Sequence, residues 1–110
     1  MFKFIKSLFA KNYEDLSGPV FKSRYQESKG AILLDVRTPG EFNAGTIKGA
    51  KNINVTGTDF NSQIEKLPKD KEYFVFCRSG ARSGHACRVM SSRGFKAVNL
   101  SGGIGAWPAR

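Results

Sequence analysis

The stretch from Tyr73 to Gly84 constrains the fold more than any other. An apolar, β-prone run, Tyr73-Phe74-Val75-Phe76, stops at Cys77 and passes through Arg78-Ser79-Gly80-Ala81-Arg82 before Ser83 opens a helix expected to run to Arg93. A strand that ends on a thiol and turns through small and basic residues into a helix sets that thiol against backbone N–H groups. It also places the thiol at the positive end of a helix dipole. Both favour the thiolate, the reactive form of cysteine. Cys77 is therefore the candidate nucleophile, and the rest of the chain reads as scaffold for its loop. The plain alternative is a core cysteine that closes a strand, but a core role does not require a polar, basic loop directly afterwards.

A second continuous apolar run, Ala31-Ile32-Leu33-Leu34-Asp35-Val36, marks a strand covered on both faces. Asp35 interrupts it near its C-terminal end, where an open α/β sheet carries its site. Around these two runs the pattern predicts an edge strand over 12–17, broken by Gly18-Pro19, and a helix over 20–28 with Phe21 and Tyr25 on one face. A helical turn over 39–44 and a strand over 52–55 follow. Thr58 or Asp59 caps a helix that carries Phe60, Ile64 and Leu67 and is ended by Pro68. Gly94 sits at a helix C-cap, residues 95–100 form a last strand, and Ser101-Gly102-Gly103 turns into a short segment with Trp107. Strands alternating with helices at this interval imply an α/β fold, a small parallel β-sheet of about five strands with helices on both faces.

The 110 residues fit one domain. The division expected is a short basic and apolar N-terminal segment, residues 1–11, and a single domain over 12–110. The segment MFKFIKSLFAK is broken by Lys3, Lys6 and Lys11, so it has neither the apolar core of a signal peptide nor the length of a spanning helix. It reads as a docked or frayed helix; the alternative is weak membrane association through 1–11, with Phe2, Phe4, Ile5, Leu8 and Phe9 entering an interface. Two cysteines are too few for a disulfide framework, which points to a reducing cytoplasm. The formal charge of +9, from 18 Lys+Arg against 9 Asp+Glu, favours anionic partners in general. The basic residues are scattered and are not interleaved with aromatics, so no nucleic-acid partner is expected. No cluster has metal-ligand spacing, and neither a metal nor a cofactor is expected.

Loop length separates two chemistries. A phosphatase cysteine loop needs C-x5-R to enclose a phosphate, but Ser83 holds that position, and Arg82 makes the spacing C-x4-R. A cradle one residue shorter suits something slimmer, such as a terminal sulfur. Arg78 and Arg82 read either as solvated charges or as contacts to an anionic substrate, and the spacing does not say which of them points inward. Gly80 and Gly84 allow close backbone approach. His85, the only histidine, reads as exposed, with proton donation the minor option. Cys87 falls on the expected core face of the helix beside Ala86 and Met90; a resolving thiol paired with Cys77 is the alternative, set against narrow disulfide geometry.

The loop CRSGARS, at 77–83, resembles the active-site loop of single-domain rhodaneses, the thiosulfate and persulfide sulfurtransferases. Leu34-Asp35-Val36-Arg37-Thr38-Pro39-Gly40-Glu41-Phe42 is similar to the family's LDVRxxxEF segment, Gly49-Ala50-Lys51-Asn52-Ile53 to its GAxNI, and Gly102-Gly103-Ile104-Gly105-Ala106-Trp107 to its closing GGxxxW. Four segments in order span most of the chain. One departs: Gly45-Thr46-Ile47-Lys48 stands where the family has Gly-His-Ile-Pro, and the expected consequence is local and structural.

The resemblance implies a rhodanese-like fold and covalent sulfur transfer. Cys77 would take a sulfane sulfur from a small anionic donor, thiosulfate or a persulfide, and pass it to cyanide or a thiol. Arg78, Ser79, Gly80, Ala81, Arg82 and Ser83 would bind the substrate. Asp35, Arg37 and Glu41 read as structural, with Asp35 hydrogen-bonding near the site and Arg37 pairing with Glu41. Two other functions stay open: a persulfide carrier or partner-binding module with little turnover, and an arsenate reductase or phosphatase.

Overall fold

The computed structural model describes residues 11–109. The expected N-terminal segment, Lys11 apart, lies outside the described residues. Five strands, β1 (Glu14–Leu16), β2 (Ile32–Asp35), β3 (Lys51–Asn52), β4 (Glu72–Phe76) and β5 (Lys96–Leu100), form one sheet in the order β1-β5-β4-β2-β3. Every pairing is parallel. The connections contain α1 (Gly18–Glu27), α2 (Pro39–Ala44), α3 (Phe60–Glu65) and α4 (Ala81–Ser92), and a 3-10 turn (Ile104–Ala106) follows β5.

The two apolar runs become β4 and its neighbour β2, with Leu34 beside Val75 and Asp35 beside Phe76. Each is covered on both faces, and the period of two divides its residues between two cores. Tyr73, Val75 and Cys77 pack with Ile64 of α3 and Ala86, Cys87 and Met90 of α4. Phe74 and Phe76 pack on the other face with Phe21 of α1, and Trp107 closes that side. This alternation matters for the site. Cys77 continues the parity of Tyr73 and Val75, so its side chain faces α4, whose first turn closes over the sulfur.

Several boundaries differ from those expected. β1 ends before Gly18-Pro19, but the pair also starts α1, ahead of the expected Val20, because Ser17 is extended at the N-cap and proline suits the first turn of a helix. The strand expected over 52–55 is reduced to Lys51–Asn52, although the Ile53 and Val55 amides still donate to the Asp35 and Val36 carbonyls at 3.0 and 3.1 Å. Helix α3 ends at Glu65 and leaves Leu67 outside, and its N-cap Asp59 makes no side-chain cap bond. Among the described residues no helix is long and apolar enough to cross a membrane.

Candidate active site

β4 delivers Cys77 to the carboxyl edge of the sheet, and only Arg78, Ser79 and Gly80 separate it from α4. So short a connection must turn sharply. Gly80 does so with φ of 103° at the N-cap, a left-handed conformation that costs glycine little. The helix therefore begins at Ala81, two residues before the expected Ser83, and Ser83 lies inside its first turn. There the Ser83 hydroxyl donates to Cys77 Sγ at 3.2 Å, and the Gly80 N–H donates to the same sulfur at 3.0 Å.

Cys77 and Ser83 have no exposed surface. Burial alone would push the thiol up, and it is the largest single influence. The Ser83 hydroxyl and the backbone N–H groups of Ser83, Gly80 and Ser79 together outweigh it, and they hold Cys77 below the ordinary thiol range. The sulfur is thus stabilised as an anion by the loop's own donors.

Neighbouring segments keep the loop in this shape. The Cys77 carbonyl accepts from the Ile104 N–H at 2.8 Å. A Cβ on Gly103, whose φ is 77°, would collide with the Arg78 carbonyl, so the glycine pair after β5 is what allows that segment to lie on the loop. Asn99 of β5, buried, donates to the Gly80 carbonyl at 3.1 Å and to Asp15 of β1 at 2.8 Å. The sequence reading missed Asn99 and Asp15. Nothing in their local pattern marks them, because their partner lies 19 residues away for Asn99 and on a different strand for Asp15.

The carboxylates beside the loop are arranged differently from the expectation. Asp35 is a buried hydrogen-bonding centre, as expected. It accepts from Arg37 Nε and Nη2, the latter at 2.7 Å, from the Arg37 backbone N–H, and from Thr46 Oγ1 at 2.9 Å. The threonine that stands in the family's histidine position thus becomes a donor to Asp35, a local structural consequence. Asn52 adds bonds to the Asp35 and Arg37 carbonyls, both at 2.9 Å. The expected Arg37–Glu41 pair does not form, since Asp35 two residues away captures the Arg37 guanidinium. Glu41 turns to the loop instead and takes a bidentate pair from Arg82, at 2.7 and 3.0 Å. The Arg82 guanidinium and the Thr38 amide hold the Glu41 carboxyl down at about 2.

Arg78, Ser79 and Ala81 are exposed around the loop. His85 is exposed as expected, and Cys87 is buried in the core, where burial pushes its thiol well up. Both cysteines are free. Two clefts flank the loop, a polar one of about 430 Å³ bordered by Ser79, Gly80, His85 and Arg88, and one of about 310 Å³ bordered by Arg78, Glu41, Ala44 and Ile104. Among the described residues no group of His, Cys, Asp and Glu could hold a metal ion.

A parallel α/β domain with a buried cysteine sulfur held by hydrogen-bond donors at the end of its central strand is the class that fold and site define. The rhodanese-like domain family matches residues 20–110, and this chain belongs to it. YtwF of Bacillus subtilis is 37% identical over 86% of this chain and 89% of its own length. A sulfurtransferase of Allochromatium vinosum is 32% identical over 84% of this chain and 86% of its own. The crystal structure of a rhodanese-like domain protein from Staphylococcus aureus superposes with a TM-score of 0.75 at 29% identity, covering 86% of this chain and 91% of that one. The family and such relatives support sulfur transfer as the general activity.

Proposed function

We propose that this protein is a sulfurtransferase that carries sulfane sulfur as a persulfide on Cys77. The observation that supports this most is the pair of donors on one buried sulfur, the Gly80 N–H and the Ser83 hydroxyl, with the thiol held below its ordinary range. The thiolate attacks the outer sulfur of the donor. With thiosulfate, the donor S–S bond breaks, its electron pair leaves with sulfite, and a new S–S bond joins Cys77 to the transferred sulfur. An organic persulfide releases a thiolate in the same way. The loop from Arg78 to Ser83 cradles the outer sulfur until cyanide or a thiolate attacks it, forming thiocyanate or a new persulfide and returning the Cys77 thiolate. Two covalent half-reactions give ping-pong kinetics.

The donors on Cys77 shift its thiol toward the anion, so this reading calls on no separate general base. A fully buried sulfur also accepts one terminal atom with less loop opening than a phosphoryl group demands, and this supports sulfur transfer over phosphatase or arsenate chemistry. The functional unit on this reading is the single domain over 12–110, working in a reducing cytoplasm. Incubation with thiosulfate followed by intact mass measurement is the test. The expected result is a gain of one sulfur atom by the wild type and none by Cys77→Ala. No gain in the wild type, or an equal gain in both, overturns the proposal. A persulfide that forms but turns over negligibly with cyanide would mark a carrier for another acceptor.

A further inference from the structure

Arg82 was expected to hold substrate, but its guanidinium is already occupied. Nη1 and Nη2 donate to the two oxygens of Glu41, the bidentate geometry that uses a guanidinium and a carboxylate most fully. Glu41 is itself fixed. It is the third residue of α2 in a capping box with Thr38: its Oε1 accepts from the Thr38 N–H at 3.2 Å and the Thr38 hydroxyl at 3.1 Å, while its own N–H donates to Thr38 Oγ1. A locked carboxylate therefore neutralises the cation that directly precedes Ser83. The same carboxylate borders the 310 Å³ cleft, whose apolar wall is Ala44 and Ile104.

The geometry points to Glu41 as the residue that sets the donor class: by occupying Arg82 and lining the cleft, it favours singly charged organic sulfur donors over the dianion thiosulfate. This rests on the sulfur-transfer reading above. Arg37 and Arg82 already hold carboxylates, so a dianion that brings its sulfonate charge past Glu41 meets the single positive charge of exposed Arg78 at the cleft, one charge against its two. A monoanion with a carbon substituent meets less repulsion and can set that substituent against Ala44 and Ile104. The loop amides still receive the sulfane sulfur, so the chemistry is common to both donors. From methanethiosulfonate the thiolate takes the terminal sulfur, the S–S bond breaks, and its electron pair leaves with methanesulfinate.

The experiment compares kcat/KM for thiosulfate and methanethiosulfonate in the wild type, Glu41→Gln and Glu41→Gln/Arg82→Gln. Glutamine keeps the capping box, so α2 should hold its place. Wild type is expected to prefer the monoanion. Glu41→Gln should raise kcat/KM for thiosulfate about fivefold, mainly through KM, and change methanethiosulfonate by less than about twofold, as one uncovered charge at a part-exposed site predicts. Added salt should erase the gain, and the double substitution should remove it. A donor ratio unmoved by Glu41→Gln, or a wild type that prefers thiosulfate, overturns the inference while mass gain on Cys77 continues. If Glu41→Gln melts early, the wild-type preference decides alone. Absence of sulfur on wild-type Cys77 with either donor overturns the underlying reading as well, and the mass spectrum distinguishes the two failures.

Discussion

Cys77 and Cys87 lie ten positions apart in the chain, both have no exposed surface, and both belong to the same core cluster. Yet the first thiol is held below its ordinary range and the second is pushed well above it. Burial opposes the thiolate in both. The difference lies in what surrounds each sulfur. Cys77 ends a strand where a left-handed glycine and the open first turn of α4 leave N–H groups without helical partners. Cys87 lies further along α4, where the backbone donors are spent on the helix itself and the neighbours are Ala86 and Met90. The lowered thiol here is made by unspent donors, not by exposure. The position is set by the parity of β4 and by the start of α4.

The comparison can be broken first at Gly80. Gly80→Ala places a side chain at φ of 103°, with its Cβ about 3.3 Å from the Gly102 nitrogen and 3.4 Å from the Leu100 carbonyl oxygen. Strain of about 1–3 kcal/mol should move the N–H off Sγ. Persulfide formation, followed by mass, should fall by roughly tenfold or more, with a lower melting temperature. Next, Ser83→Ala removes one donor and leaves the backbone in place. The Cys77 thiol should move upward toward the behaviour of Cys87, and alkylation at neutral pH should slow by about tenfold, the usual worth of one hydrogen bond to a charged group. The smallest effect is expected from Cys87→Ala. Turnover should be unchanged, while a small buried cavity costs about 1 kcal/mol in denaturant unfolding. Loss of turnover in Cys87→Ala would mean that the two thiols work together.

Much of this was legible in the chain. Continuous apolar runs marked β2 and β4, and a cysteine at the end of such a run marked the candidate site. What could not be read depends on contacts between distant segments. Asn99 holds the Gly80 carbonyl from another strand, and nothing near it announces a role. An Arg37–Glu41 pair was what the family resemblance implied. A nearer buried carboxylate, Asp35, takes Arg37, and the capping box turns Glu41 toward Arg82. Helix α4 begins at Ala81 because Gly80 can turn the chain early, which local sequence alone could not decide between Ala81 and Ser83.

The most direct test of the central claim measures the rate of iodoacetamide labelling at each cysteine of the folded wild type across pH, resolved by peptide mass. A lowered thiol pKa extends the thiolate to lower pH than an ordinary thiol allows, and the thiolate is lost as pH falls through that lowered value. Cys77 is therefore expected to label with a midpoint below the ordinary thiol range of about 8.5, reactivity disappearing on the acid side, while Cys87 stays unlabelled until the protein unfolds. A Cys77 midpoint at or above the ordinary range, or labelling no faster than at Cys87, would contradict the account.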